Sequence, residues 1–129
     1  MEIKGQHAIL DAWLGEWPGD DVILAACERA IDASGMHVEC STVKRFAPSG
    51  VTAVWILSES HFTVHTYPEH SYLSVDCYTC GTEGDPGAAI AALRELLSIK
   101  RLKYSLNSRG VLPERMHGPR SCLASALEA

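Results

Sequence analysis

Residues 62 to 79 constrain the fold more than any other stretch. Two runs, 62–67 and 72–79, alternate apolar and polar side chains with period two, and Pro68-Glu69-His70-Ser71 between them has turn chemistry. A hairpin satisfies both. Symmetric pairing about the turn sets Tyr67 opposite Tyr72, His65 opposite Ser74, His61 opposite Tyr78 and Glu59 opposite Cys80. The Glu59–Ser60 peptide bond then lies beside Cys80, in a register that a one-residue slip would invert face for face.

The rest of the chain supplies partners for that hairpin. Residues 7–13 read as a strand, Gly19-Asp20-Asp21 opens a helix over 22–34, and Gly35 ends it. Strands follow at 36–46 and 51–57, separated by Ala47-Pro48-Ser49-Gly50. Asp85-Pro86 starts a second helix whose apolar stripe is Ile90, Leu93 and Leu97, and a last strand covers 100–107. This order predicts an α+β fold: a two-layer sandwich with a mainly antiparallel sheet and two helices on one face. Residues 1–108 form the single domain expected, and 109–129, rich in Arg, Pro and Ser, read as a loosely ordered tail.

Composition narrows the functional classes. A chain of 129 residues, 47% hydrophobic, suits one core and is too short for two domains. It has neither an apolar run of about 20 residues nor a basic-then-apolar leader, so a soluble, cytoplasmic protein without a membrane partner is expected. The formal charge of −5, with no cluster of Lys and Arg, argues against a nucleic-acid partner and suits a small cationic substrate. The five cysteines, Cys27, Cys40, Cys77, Cys80 and Cys122, are an odd number, which favours reduced thiols over a disulfide framework.

Several chemistries are open to the Ser60–Cys80 stretch. His61 and His65 on one strand stand about 13 Å apart, too far to share a metal ion. Cys77 and Cys80 have C-x-x-C spacing but would point to opposite faces of a strand, and no second pair exists for zinc. Ser60 lacks the glycine-flanked elbow of a hydrolase serine. A solvated hairpin carrying ordinary polar residues remains the plain alternative.

Glu59-Ser60-His61, then Thr63-Val64-His65-Thr66-Tyr67-Pro68-Glu69, then Asp76-Cys77-Tyr78-Thr79-Cys80-Gly81 closely resembles the prokaryotic S-adenosylmethionine decarboxylase proenzymes, pyruvoyl-dependent enzymes of polyamine synthesis. Similarity continues at Gly5-Gln6-His7-Ala8-Ile9-Leu10-Asp11, Lys44-Arg45-Phe46, Gly50-Val51-Thr52 and Asp85-Pro86, so it covers most of residues 5–108. The resemblance implies that the Ser60 hydroxyl attacks the Glu59 carbonyl to form an ester. Loss of the Ser60 α-proton then splits the chain and leaves dehydroalanine, which hydrolyses to a pyruvoyl group at residue 60. His65 matches the processing base, a role imidazole suits near neutral pH. Thr52 stands where a serine usually assists.

Further implications concern the mature enzyme. A pyruvoyl ketone condenses with the substrate amine and draws electrons from the carbanion left by CO₂. Cys80 matches the donor that returns a proton to that carbon. Phe46 matches an aromatic residue stacking on adenine, Tyr67 replaces a frequent tryptophan, and Glu69 matches a carboxylate for ribose hydroxyls. The resemblance also implies a homodimer of cleaved α/β pairs, with sites built from both protomers. Two other readings stand beside it: a homologue decarboxylating arginine or ornithine, and a non-catalytic dimerising module.

Overall fold

The computed structural model describes residues 5–80 and 84–113. The strands are β1 (Gly5–Leu14), β2 (Val38–Arg45), β3 (Val51–Leu57), β4 (Ser60–Tyr67), β5 (Tyr72–Thr79) and β6 (Ile99–Arg109), with helices α1 (Asp20–Ala33) and α2 (Pro86–Leu96). They form one six-stranded sheet in the order β2-β3-β4-β5-β1-β6. Every pairing is antiparallel. Among the described residues no helix is long and apolar enough to cross a membrane.

Period-two patterning decides which face each strand buries. Ala8, Leu10 and Ala12 of β1, Ala53 and Trp55 of β3, Phe62 and Val64 of β4, and Leu73, Val75 and Cys77 of β5 are buried on one face. The helices close that face with their own apolar stripes, Ile23, Ala26, Cys27, Ala30 and Ile31 from α1 and Ala89, Ile90 and Leu93 from α2. Trp55 and Phe62 meet edge to face at 5.7 Å in the centre. Among the described residues the opposite face carries no helix. It presents Ile9, Trp13, Ile56 and Tyr67 part-exposed among polar residues.

The helix boundaries depart from expectation instructively. Asp85 caps α2, accepting from the Gly87 and Ala88 N–H groups, and Pro86 fills its first turn. Leu97, expected within this helix, is the residue just beyond it, yet it remains buried. Gly19 precedes α1 with φ 107, but no side chain caps that end. The Asp20 carboxylate reaches instead to the β3 and β4 strands. β6 continues to Arg109, one residue past the expected domain boundary, and 114–129, most of the expected tail, lie outside the described residues.

Candidate active site

The β4/β5 hairpin keeps the predicted register: His61 faces Tyr78, His65 faces Ser74, and Tyr67 faces Tyr72. Glu59 immediately precedes β4 and Cys80 immediately follows β5, so the two residues meet at the open end of the hairpin. The Glu59 carbonyl oxygen accepts the Cys80 N–H at 3.0 Å and the Cys80 thiol at 2.9 Å. Two donors therefore polarise the carbonyl of the Glu59–Ser60 bond, the arrangement that stabilises an oxyanion when a nucleophile adds to its carbon. Ser60 supplies a hydroxyl one residue away.

Contacts on the Glu59 side chain fix that residue further. Its carboxylate accepts the His37 backbone N–H at 3.1 Å and pairs with the His37 ring at 3.0 Å. These bonds hold the Glu59 carboxyl below its usual range, the ring bond contributing most. His37 escaped the sequence reading because its partner is on a different element and no local spacing connects them.

A second cluster occupies the turn end of the same hairpin. Thr52 on β3 faces His65 on β4, and Thr52 Oγ1 shares a hydrogen bond with His65 Nδ1 at 3.0 Å. That bond leaves the other imidazole nitrogen for chemistry. Phe46, Thr52, His65, Tyr67 and Glu69 line one cavity of about 300 Å³. Phe46 is half exposed with Lys44 Nζ 5.9 Å from its ring centre, and Tyr67 stacks on Tyr72 at 5.4 Å. A larger hollow of about 540 Å³, beside Trp13 and Arg101, contains none of the candidate residues.

Asp20 braces this second cluster, another role the sequence did not reveal. Its carboxylate accepts the Gly50 N–H at 2.9 Å and the Thr66 hydroxyl at 3.0 Å, while Thr66 Oγ1 accepts the Val51 N–H at 2.8 Å. The start of α1 is thereby tied to the turn carrying Phe46 and to the strand carrying His65. Gly50 has φ 105, a conformation that favours glycine.

The sequence candidates thus form two groups rather than one. Ser60 and His65 are five residues apart on a continuous strand, about 16 Å at the usual rise. Glu59, Ser60 and Cys80 come together, as do Phe46, Thr52, His65, Tyr67 and Glu69, but the two groups stay apart in this chain. The cysteines separate as expected. Cys27 and Cys77 are buried, and burial pushes both thiols up, Cys77 to about 12, whereas Cys80 is exposed.

A six-stranded antiparallel sheet with two helices on one face makes this an α+β protein, and its site sets a peptide carbonyl held by two donors next to a serine. Residues 7–110 match the family model described as S-adenosylmethionine decarboxylase. The chain belongs to that family. It is 39% identical over 110 residues to an S-adenosylmethionine decarboxylase proenzyme 2 of Bacillus cereus, covering 83% of this chain and 89% of that protein. It is 32% identical to an S-adenosylmethionine decarboxylase proenzyme of Methanococcus maripaludis, covering 88% of this chain and 96% of the relative. The solved structure of adenosylmethionine decarboxylase from Aquifex aeolicus superposes with a TM-score of 0.75 at 29% identity, covering 88% of this chain and 97% of that one.

Proposed function

We propose that this chain cuts itself between Glu59 and Ser60 and then decarboxylates S-adenosylmethionine, the step that supplies aminopropyl groups for spermidine synthesis in the cytoplasm. The carrying observation is the Glu59 carbonyl held by both the N–H and the thiol of Cys80. Ser60 Oγ adds to the Glu59 carbon while Cys80 stabilises the oxygen, and collapse of the adduct breaks the C–N bond to give an ester. Removal of the Ser60 α-proton then expels the Glu59 carboxylate, releasing residues 1–59 and leaving dehydroalanine at residue 60, which tautomerises to an imine that water hydrolyses to the pyruvoyl group with loss of ammonia.

A second copy supplies what one protomer lacks. A two-fold axis crossing β4 near Thr63 brings residue 60 of one chain beside the partner's His65, and closes the same gap reciprocally. The helix-free sheet face, with Ile9, Trp13, Ile56 and Tyr67 part-exposed, offers the apolar surface for that contact. In the dimer the partner's His65, steadied by Thr52, takes the α-proton.

The pyruvoyl group supplies an electron sink for decarboxylation. The residues around it do the rest. Cleavage frees the Cys80 thiol from the Glu59 carbonyl, so the same group can return a proton to the substrate carbon. Phe46 and Tyr67 offer π-faces to the adenine ring and the sulfonium cation, and Glu69 offers acceptors to ribose hydroxyls. This aromatic slot with an adjoining carboxylate supports the nucleoside substrate over arginine or ornithine.

Intact mass of the denatured protein, with and without borohydride in the presence of candidate amines, tests the reading. Two chains meeting at Glu59/Ser60, with the second retaining S-adenosylmethionine after reduction, are expected. Retention of arginine or ornithine alone would reassign the substrate, and an unbroken chain after long incubation would leave only the dimerising module.

A further inference from the structure

Three polar side chains are buried in the described structure, Ser34, Thr66 and Thr79. Ser34 donates to the Ile31 carbonyl, and Thr66 is bonded to Asp20 and Val51. Thr79 differs. Its side chain is 1% exposed, yet Oγ1 has no hydrogen-bond partner among the described residues. A buried hydroxyl left unpaired is destabilising, so its retention in a well-packed core asks for a reason.

Strand register places this threonine opposite the serine next to the Glu59 carbonyl. Thr79 on β5 is directly opposite Ser60 on β4. Because the neighbouring pair, Glu59 and Cys80, is joined by a backbone hydrogen bond, alternation along an antiparallel ladder makes Ser60 and Thr79 a non-hydrogen-bonded pair, whose side chains approach more closely. Thr79 directs its backbone groups the other way, toward Gln6 on β1, at the wider spacing. On the remaining side the position of a β-carbon on Gly84 would be 3.2 Å from Thr79 Oγ1 and 2.6 Å from Met36 Cγ, so a larger residue there would crowd the site.

We infer that Thr79 is a positioning residue for self-cleavage: its hydroxyl, without a partner among the described residues, accepts the Ser60 hydroxyl hydrogen as the reaction begins and aims Ser60 Oγ at the Glu59 carbonyl carbon. The inference rests on the self-cleavage proposed above. In that step the Oγ–C bond forms, the C–N bond of Glu59–Ser60 breaks, and the hydroxyl proton ends on the released Ser60 amine. Thr79 keeps no proton. It restricts the Ser60 rotamer, while Cys80 holds the carbonyl oxygen.

The test follows cleavage of freshly translated full-length chain by denatured mass, in wild type, Thr79→Val, Thr79→Ser and Thr79→Ala, with thermal unfolding of each. Thr79→Val keeps the shape and removes the hydroxyl. It should cut about tenfold more slowly, the rate equivalent of one hydrogen bond in the transition state, without a lower unfolding midpoint. Hydroxylamine, which splits the ester but not the amide, should release less product from Thr79→Val than from wild type at early times, because ester formation is the step affected. Thr79→Ser should cut nearly as wild type does. A folded Thr79→Val that cuts at the wild-type rate would overturn the inference while leaving self-cleavage intact, whereas a wild type that never cuts would remove self-cleavage itself. Should Thr79→Val fail to fold, Thr79→Ser and Thr79→Ala replace it: equal rates overturn the inference, and a slow Ala beside a fast Ser supports it.

Discussion

The two ends of the β4/β5 hairpin are held by different means. At the open end, Cys80 binds the Glu59 carbonyl and His37 grips the Glu59 side chain, so the restraints act on the residue whose peptide bond the proposed self-cleavage breaks. At the turn end, Asp20, Thr66 and Val51 form a network that spans α1, β3 and β4 and includes no atom of that bond. Under the self-cleavage proposed above, the Cys80 contacts of the first kind bear on the reacting carbonyl, whereas the second network lies away from it. Substitutions at the open end should therefore alter processing more than stability, and those at the turn end should do the reverse.

Ser60→Ala should break the comparison most completely. Without the hydroxyl no ester can form, and intact mass should show a single uncut chain at all times. Ser60 is only partly buried, so its loss should barely move the unfolding midpoint. Cys80→Ala comes next. It removes the thiol donor but leaves the N–H on the Glu59 carbonyl, and losing one such donor slows cleavage by about 10²-fold. A mass time course measures it. Faster cleavage than wild type would mean that the thiol holds the carbonyl in an unproductive state.

Asp20→Ala tests the other end. Two bonds to its carboxylate disappear, leaving the buried Thr66 hydroxyl and the Gly50 N–H short of a partner, at a cost of about 1–3 kcal/mol. Urea unfolding reads that loss directly. Cleavage should slow far less than in Cys80→Ala, and the KM should rise because Phe46 and His65 lose their common support. Slowing as severe as in Cys80→Ala, with stability unchanged, would show that the two ends do not divide the work.

What the sequence discloses follows the same division. The hairpin register is legible because period-two alternation and a four-residue turn admit few alternatives, and Glu59 does meet Cys80. The opposite fates of Cys77 and Cys80 follow from their three-residue offset in and just beyond a strand. The separation of Ser60 from His65 is also written in their five-residue spacing, since a strand cannot fold back within it. By contrast, the partners of Asp20 are 30 and 46 residues away, and His37, which holds the Glu59 carboxylate, is 22 residues away, in segments whose docking no local pattern encodes. Asp20 even looks like a capping residue in the sequence, because an acidic side chain suits a helix N-terminus whether or not it bonds there. Thr79 is hidden for another reason: what singles it out is a partner it lacks.

The smallest expected effect concerns the His37–Glu59 clamp and carries a pH dependence of definite sign. The Glu59 carboxyl is held below its usual range, chiefly by the His37 ring and then by the His37 backbone N–H. A carboxyl with a depressed pKa in the folded state stabilises the fold fully above its unfolded value, about 4.3, and loses that contribution as pH falls through the folded value. His37→Ala keeps the backbone bond and removes the ring bond, so the depression should shrink without vanishing. Measured in urea, the uncut Ser60→Ala chain should be more stable than its His37→Ala derivative at pH 5.5. That gap should narrow as pH falls below about 4.3 and on through the lowered folded-state value. A gap that widened as pH fell would reverse the assigned sign and make the His37 ring a destabilising neighbour of Glu59. A constant gap would place the ring's contribution in packing, and the open end of the hairpin would then be held by Cys80 and the His37 backbone N–H.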